Sequence, residues 1–202
     1  MAKTEAKATS GRGRPGYSRD EVVAIAVDEF LNRGYDATSM GILAQRLGVS
    51  KSAIYYHVES KEQLLEEATD LALDNLQQVV DGAYAIDGGV EDKLRFLIDG
   101  AVHVLCEHQP ETALLLRLRG NSETELCALE RRRGITRQMV ELVEAGQREG
   151  AIRDDVPAGV AARLIFGAVN SIADWYSPDG YASPEEISNA MHKLVWSGIA
   201  AS

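Results

Sequence analysis

The sequence is poor in the residues on which disulfide-rich and membrane-spanning proteins depend. It has only two cysteines, Cys106 and Cys127, which are far apart and form no C-x-x-C pair. A disulfide framework is therefore excluded, and we expect both thiols to be small core residues in a reducing, cytoplasmic setting. No apolar run reaches the roughly 20 residues that a membrane helix needs, and residues 1–16 lack the apolar segment of a secretory signal.

Patterns that mark common enzymes are also missing. We find no H-E-x-x-H, G-x-S-x-G or P-loop pattern, and the four histidines do not fall at metal-ligand spacings. Gly11-x-Gly13-x-x-Gly16 matches the dinucleotide-binding pattern, but no strand precedes it, and Pro15 and two arginines do not suit the tight turn. His103 and Cys106 share a helix face, which is typical of core packing. We therefore expect no catalysis, no cofactor and no metal.

The net charge of −10 argues at first against a nucleic-acid partner. The distribution of charge reverses that conclusion. Residues 1–61 contain nine lysines and arginines against seven acidic residues, a net charge of +2, whereas the remainder carries −12. A basic end on an acidic body allows one face to approach phosphates while the rest stays soluble.

The apolar pattern predicts an all-α protein of about nine helices, because no alternating, β-branched run is long enough for a strand. Ser18 and Glu21 form a capping box that opens a first helix, which Gly34 ends. A second helix runs from Thr38 or Ser39 to Gly48, a third from Lys51 to about His57, and a fourth from Ser60 to about Gly82. Five more are predicted over residues 90–108, 111–119, 122–149, 157–176 and 184–199.

Residues 40–59 form a predicted helix-turn-helix. The turn Gly48-Val49-Ser50 has a length that sets two helices at a steep angle, and Ser50 can cap the second of them. That helix would present its polar first turn outward, as a recognition helix does in the major groove. Tyr55 and Tyr56 are costly to leave facing water but suit contacts with phosphates and thymine methyls. A small helix with both tyrosines packed inward stays an alternative.

The block from Tyr17 to Leu65 resembles the N-terminal domain of the TetR family of regulators. The matching elements are Ala26-x-x-x-Phe30, Gly34-Tyr35-x-x-Thr38, Gly48-Val49-Ser50, Ile54-Tyr55-Tyr56-His57-Val58 and Ser60-Lys61-Glu62-x-Leu64-Leu65. The resemblance implies that Lys51 and Ser52 lie over base edges, beside Ser50. It also implies phosphate contacts from Thr38, Ser39, Tyr55, Tyr56, His57 and Lys61.

The first 16 residues are predicted to form a flexible basic arm. Arg12-Gly13-Arg14-Pro15 is similar to the core of an AT-hook, in which two guanidinium groups enter an A·T-rich minor groove. Arg12 and Arg14 are therefore further candidates for DNA contact. A tail that only improves solubility stays an alternative.

The resemblance divides the chain into a DNA-binding domain at 17–65 and a ligand-binding and dimerisation domain at 66–202. Apolar stripes on the last two predicted helices fit a four-helix dimer bundle of the TetR type. The homodimer would read a palindromic operator on double-stranded DNA. The predicted interface residues are Leu164, Ala168, Ile172, Met191 and Val195.

Polar groups within apolar helices suggest the ligand site. Asn170 lies one turn from Phe166, and a buried amide needs a partner. The predicted ligand-binding residues are Leu115, Arg117, Arg119, Asn121, Arg131, Phe166, Asn170, Trp175 and Tyr176. The neighbouring arginines 131–133 and 137 could attract an anion, or could pair within their own helix with Glu130 and Glu141.

The C-terminal half is similar to TetR-type repressors of fatty-acid, steroid-ring and phenylacetate catabolism, and most of all to the phenylacetate-pathway repressors of actinobacteria. The similarity lies in Asn170-Ser171, Asp174-Trp175-Tyr176-x-Pro178-x-Gly180 and Ser183-Pro184-Glu185-Glu186-Ile187, and the likeness to the phenylacetate branch adds Leu114–Asn121 and Ala128–Arg132. It implies release from DNA by a coenzyme A thioester such as phenylacetyl-CoA. The alternatives are a drug or efflux inducer, an architectural DNA-binding protein without a ligand, and a redox sensor using both cysteines.

Overall fold

The computed structural model describes residues 17–201, and over that range it is built from helices. The predicted arm, with Arg12 and Arg14, lies outside the described residues. The helices are α1 (Arg19–Arg33), α2 (Met40–Leu47), α3 (Lys51–Ile54), α4 (Lys61–Ala85), α5 (Val90–Glu107), α6 (Gln109–Arg117), α7 (Glu123–Arg148), α8 (Ala158–Asn170), α9 (Ile172–Trp175) and α10 (Pro184–Ile199). The predicted all-α class is confirmed.

Local sequence signals account for most of the helix ends. Ser18 and Ser183 each form a capping box with the glutamate three residues later. Gly48 ends α2 in the left-handed region, with φ 68° and ψ 31°. The amide of Val49 then donates to the carbonyl oxygen of Ala44, which pins the chain as it leaves the helix.

Apart from shifts of one or two residues, such as those at both ends of α6, three predicted boundaries differ from the structure. The third helix ends at Ile54, and residues 55–57 continue as a turn. The helix predicted over 157–176 is divided at Ser171 into α8 and α9. α4 continues past Gly82 to Ala85; Gly82 serves helix packing instead of ending the helix, because a Cβ atom there would stand 2.8 Å from the ring of Phe96.

α4 connects the two ends of the molecule. Its first turns bury Leu64 and Leu65 and α4 packs on α1, in the same apolar core that includes Leu43 of α2 and Ile54 of α3. Its later turns pack on α5 and α7. α5 lies centrally and also contacts α6, α8, α9 and α10. A continuous apolar core therefore runs from the helix-turn-helix to the C-terminal helices.

The expectation that both cysteines are core residues is wrong for Cys127, which is exposed on α7, while Cys106 on α5 is half-buried. Cys127 points outward because other residues, such as Ala128 and Leu129, form the buried face of α7. None of the helices described over residues 17–201 combines the length and apolar character that a membrane crossing requires.

Candidate DNA interface and ligand pocket

The helix-turn-helix is held by two serine caps. The Ser39 hydroxyl accepts a hydrogen bond from the amide of Ile42, and the Ser50 hydroxyl accepts one from the amide of Ala53, both at 3.3 Å. The Ser50 and Ser52 hydroxyls lie 2.9 Å apart. These bonds satisfy amides that would otherwise be free at the starts of α2 and α3.

The outer face of α3 and its following turn is polar and aromatic. Ile54 and Val58 are buried inward, which leaves Lys51 and Ser52 exposed on the opposite side. The Tyr56 side chain is 88% exposed, so the two tyrosines are not packed inward. This surface offers hydroxyl, ammonium and aromatic groups together, the groups with which proteins contact DNA.

Two predicted DNA-contact residues are engaged within the protein. The Thr38 side chain is buried, and its hydroxyl donates to the carbonyl oxygen of Gly34 at 2.9 Å. The Lys61 ammonium donates to the carbonyl oxygen of Tyr35 at 2.8 Å and lies 4.0 Å from the centre of its ring. Both side chains therefore fix the segment between α1 and α2.

Arg19 in α1 binds the recognition segment, by which we mean α3 and the turn that follows it at residues 55–57. Its Nη1 atom donates to the carbonyl oxygen of His57 at 3.1 Å, and the guanidinium also forms an ion pair with Glu67 on α4. The end of the recognition segment is thus held between α1 and α4. His57 itself is half-buried and packs edge-to-face on Tyr56.

A pocket of about 660 Å³ opens between α4, α5, α6, α7 and α8. Its apolar wall includes Leu76, Leu105 and Leu115 together with Phe166. Asn170 adds an amide at the end of α8. Three predicted ligand residues, Leu115, Phe166 and Asn170, therefore line one pocket of a size that suits a small molecule.

Four arginines line the same pocket: Arg132, Arg133, Arg137 and Arg163. Arg133 and Arg137 share the carboxylate of Glu130. Arg132 and Arg163 instead donate only to backbone carbonyl oxygens, those of Leu115 and Gly159, and neither pairs with a carboxylate among residues 17–201. Burial, together with the neighbouring charge of Arg133, lowers the pKa of Arg132. An anion placed here would offset both effects.

One polar atom in the pocket wall has no partner within the described chain. Thr112 is only 4% exposed, and its hydroxyl makes no hydrogen bond to any residue of 17–201. Sequence reasoning missed Thr112 and Arg163. The run of arginines at 131–133 pointed to the right segment of α7, but no sequence signal marked the threonine.

The other predicted ligand residues lie elsewhere. Arg117, Arg119 and Asn121 line a separate groove between the end of α6 and the α1–α2 segment. Arg131 forms ion pairs with Asp70 and Asp74 on α4. Trp175 is exposed and stacks on Tyr181, and Tyr176 lies near Cys106, outside the residues that line the pocket.

Helix α6 lies between the pocket and the end of α1. The Arg117 Nη1 atom donates to the carbonyl oxygen of Leu31, the last turn of α1, at 3.0 Å. Glu125 accepts hydrogen bonds from the amides of the 119–121 turn through one oxygen. Burial opposes its ionisation, but these three donors hold its pKa below the usual value. One face of α6 thus lines the pocket while its end is fixed against α1.

An apolar face is exposed on the last two long helices. Leu164 on α8 is 67% exposed and Leu194 on α10 is 75% exposed, and Val160 lies one turn before Leu164. Of the predicted interface residues besides Leu164, Ala168, Met191 and Val195 are half-buried and Ile172 is fully buried in the core. Large exposed aliphatic side chains on adjacent elements are typical of a protein–protein interface.

The helix-turn-helix surface at one end and the pocket in the helical remainder define a DNA-binding regulator. Two family models match this chain: bacterial regulatory proteins of the tetR family over residues 22–68, and the tetracyclin repressor-like C-terminal domain over residues 87–199. The chain belongs to the TetR family of transcriptional regulators. It is a DNA-binding transcriptional repressor of that family.

Individual relatives agree over most of their length. The transcriptional repressor KstR2 of Mycolicibacterium smegmatis is 27% identical over 197 residues, which is 94% of each chain. The TetR-family protein SCO3833 of Streptomyces coelicolor A3 has a structure with a TM-score of 0.82 and 41% identity, covering 88% of this chain and 90% of that one. The structure of AibR with isovaleryl coenzyme A and operator DNA has the same fold, with a TM-score of 0.75 at 24% identity over 88% of this chain and 97% of that one.

Proposed function

We propose that this repressor leaves its operator when a coenzyme A thioester, such as phenylacetyl-CoA, binds the pocket between α4 and α8. The observation that carries the proposal is the combination of an apolar wall with four arginines in one pocket. An acyl or aryl group would bury against Leu105 and Phe166, and the exposed arginines would meet phosphates. The regulated genes would then serve aromatic or fatty-acid catabolism.

The placement of charge favours a phosphate-bearing ligand over a neutral drug or efflux inducer. The part of the chain that follows residue 61 carries −12, so a neutral ligand gives no reason to gather four arginines around one opening. Two of these arginines have no carboxylate partner in the described chain. The exposed side chains of Arg133, Arg137 and Arg163 stand on the solvent side, where a nucleotide would extend from the pocket.

An architectural protein without a ligand would be expected to fill its core. The open volume of about 660 Å³ and the unpartnered hydroxyl in its wall instead favour a ligand-binding protein. AibR is described with isovaleryl coenzyme A and operator DNA. At 24% identity that likeness is one of fold, so the case for a thioester here rests on the arginines.

We further propose that DNA contacts come from Ser39, Lys51, Ser52 and the two tyrosines of the recognition segment, with Ser50 and His57 at its borders. The arm residues Arg12 and Arg14 would add minor-groove contacts. Within residues 17–201, the members of this set are exposed, apart from half-buried His57. Thr38 and Lys61 would act by holding the α1–α2 segment, because their polar atoms bind Gly34 and Tyr35.

We propose a homodimer that forms through the exposed faces of α8 and α10, centred on Leu164 and Leu194. A two-fold axis there would place two recognition helices on half-sites about 34–36 Å apart, which requires a palindromic operator. The ranges matched by the family models favour a functional division between residues 68 and 87. We place the DNA-binding domain at 17–65 and the sensor and dimerisation domain at 66–202.

The test is fluorescence anisotropy with the palindromic DNA upstream of the protein's own gene, at fixed salt. Phenylacetyl-CoA, other acyl-CoA esters, free CoA and free phenylacetate are titrated into the complex. Release by a thioester but not by free CoA is expected. Arg132→Met should raise the thioester concentration needed for release by about tenfold, since a charge-assisted contact contributes about 1.5–3 kcal/mol.

The matched control is Arg148→Met, which removes an exposed arginine from the end of the same helix, away from the pocket. It should leave release unchanged. DNA binding that no thioester affects would contradict the ligand class while leaving the repressor assignment in place.

A further inference from the structure

Among the fully buried threonines of residues 17–201, which are Thr38, Thr69 and Thr112, the Thr112 hydroxyl is the one without a hydrogen-bond partner. In α4 the Thr69 hydroxyl donates to the carbonyl oxygen of Leu65 at 2.9 Å, and in α7 the Thr136 hydroxyl donates to that of Arg132 at 3.0 Å. Both follow the usual pattern of a helical threonine bonding one turn back. The Thr112 hydroxyl makes no such bond, although its own amide donates to His108 at 2.9 Å.

A buried hydroxyl without a partner lowers stability, because it gives up its hydrogen bonds to water and gains none in return. Thr112 lies in the wall of the pocket, on the face of α6 that also presents Leu115 and Leu116. A ligand that fills this pocket is therefore placed to supply the missing partner.

A guanidinium group stands on the same stretch of wall. Arg132 Nη1 donates to the carbonyl oxygen of Leu115 at 3.2 Å, and Leu115 follows Thr112 by one helical turn. One of the five N–H donors of Arg132 is used in that bond, so others are available to a ligand. The wall thus combines a hydroxyl donor with a half-buried positive charge, which favours an electronegative oxygen on the ligand.

We propose that the Thr112 hydroxyl donates a hydrogen bond to the carbonyl oxygen of the bound acyl thioester, beside the guanidinium of Arg132, so that the pocket selects acyl over alkyl derivatives of coenzyme A. This inference rests on the ligand class proposed above. The apolar wall would accept many acyl chains, whereas the carbonyl is common to all of them. Thr112 therefore recognises the thioester bond itself and not the group that it carries.

The experiment compares phenylacetyl-CoA with its thioether analogue S-(2-phenylethyl)-CoA, in which a methylene replaces the carbonyl. Binding of each to the full-length protein is measured by titration calorimetry for the wild type, Thr112→Val and Thr112→Ser. The wild type should prefer the thioester by about 3–10-fold, the range that one neutral hydrogen bond provides. Thr112→Val should bind both ligands equally, and Thr112→Ser should keep the preference.

Folding is controlled by the melting temperature without ligand. Valine keeps the shape of threonine and removes a hydroxyl that has no partner, so Thr112→Val should melt at the same or a higher temperature than the wild type. A purely structural role for the hydroxyl predicts the reverse, a lower melting temperature with equal losses for both ligands.

Other outcomes overturn the inference in distinguishable ways. A wild type that binds thioester and thioether equally, or a Thr112→Val variant that keeps the preference, shows that Thr112 does not contact the carbonyl. A wild type that binds neither compound, whatever the variants do, removes the thioester class and this inference with it. Free phenylacetate that binds more tightly than its thioester would assign Thr112 and Arg132 to a carboxylate instead.

Discussion

Arg117 at the end of α6 donates a hydrogen bond from its Nη1 atom to the carbonyl oxygen of Leu31 in α1, across 3.0 Å. The partners lie 86 positions apart in sequence. α6 also contributes Thr112, Leu115 and Leu116 to the pocket. A short helix with one face in the pocket and its end bound to α1 provides a direct physical connection between the pocket and the first helix of the DNA-binding end.

The first prediction concerns this connection. Arg117→Met should leave the affinity for phenylacetyl-CoA in the absence of DNA nearly unchanged but reduce the effect of that ligand on DNA affinity by about fivefold. The reason is that one hydrogen bond worth about 1 kcal/mol would no longer couple α6 to α1. Anisotropy titrations with and without saturating ligand measure the effect. Arg148→Met serves as control, and equal coupling in both variants would contradict the prediction.

The second prediction concerns the recognition surface. Tyr56→Ala should weaken operator binding by about tenfold without lowering the melting temperature, because the side chain is 88% exposed and leaves the core intact. Tyr181→Ala removes an equally exposed tyrosine from the loop before α10 and should bind DNA like the wild type. If both variants bind alike, Tyr56 makes no contact with DNA.

The third prediction concerns assembly. Leu164→Glu places a charge on the proposed dimer face of α8 and should convert the protein to a monomer with a loss of operator affinity of at least about 100-fold, because burying an unpaired carboxylate is costly. Sedimentation velocity reports the mass and anisotropy the DNA affinity. Leu71→Glu changes an exposed leucine on α4 and should remain dimeric. A Leu164→Glu variant that still sediments as a dimer would place the interface elsewhere.

The fourth prediction concerns pH. His103 on α5 has its Nδ1 atom 2.8 Å from the carbonyl oxygen of Asp99 and its Nε2 atom 3.7 Å from the carboxylate of Glu185 on α10. The backbone hydrogen bond to Asp99 raises the pKa of His103, and the charges of Asp99 and Glu185 add to this against partial burial.

A raised histidine pKa means that the protonated form stabilises the fold. This contribution is complete well below the unfolded pKa of about 6.5 and is lost as pH rises through the higher folded pKa. The wild type should therefore exceed His103→Gln in unfolding free energy by up to about 1 kcal/mol at pH 5.5, a value limited by solvent exposure. Denaturant titrations should show the difference shrinking toward pH 8.5. A difference that is constant with pH would mean that His103 does not act through its charge.

The helix ends could be predicted from the sequence because their causes are local. Ser18 needs only Glu21 to complete its capping box, and Gly48 needs only its own freedom to adopt a positive φ. The division of the predicted helix 157–176 was missed because the break at Ser171 carries no glycine or proline. Tertiary packing, which brings α9 against α5 and α6, directs the chain there.

The ligand pocket was only partly predictable, because it depends on how each helix is rotated about its axis. Arg131 and Arg132 are adjacent in α7, so their side chains point about 100° apart. Arg131 faces Asp70 and Asp74 on α4, while Arg132 faces the pocket. The amphipathic pattern of α7 identifies its buried face. It does not show which helix packs beside each edge of that face, because that depends on the whole fold.

The length of α4 has a mechanical consequence. Its 25 residues form one uninterrupted helix, a rod of about 37 Å at 1.5 Å per residue. Leu76 touches the pocket in the second half of this rod, while Lys61 stands at its opposite end beside the recognition segment. If α4 tilted by only about 5° about its C-terminal end, its N-terminal end at Lys61 would move by roughly 3 Å over that length. A small displacement of α4 at the pocket would therefore become a larger one at the end that adjoins the helix-turn-helix.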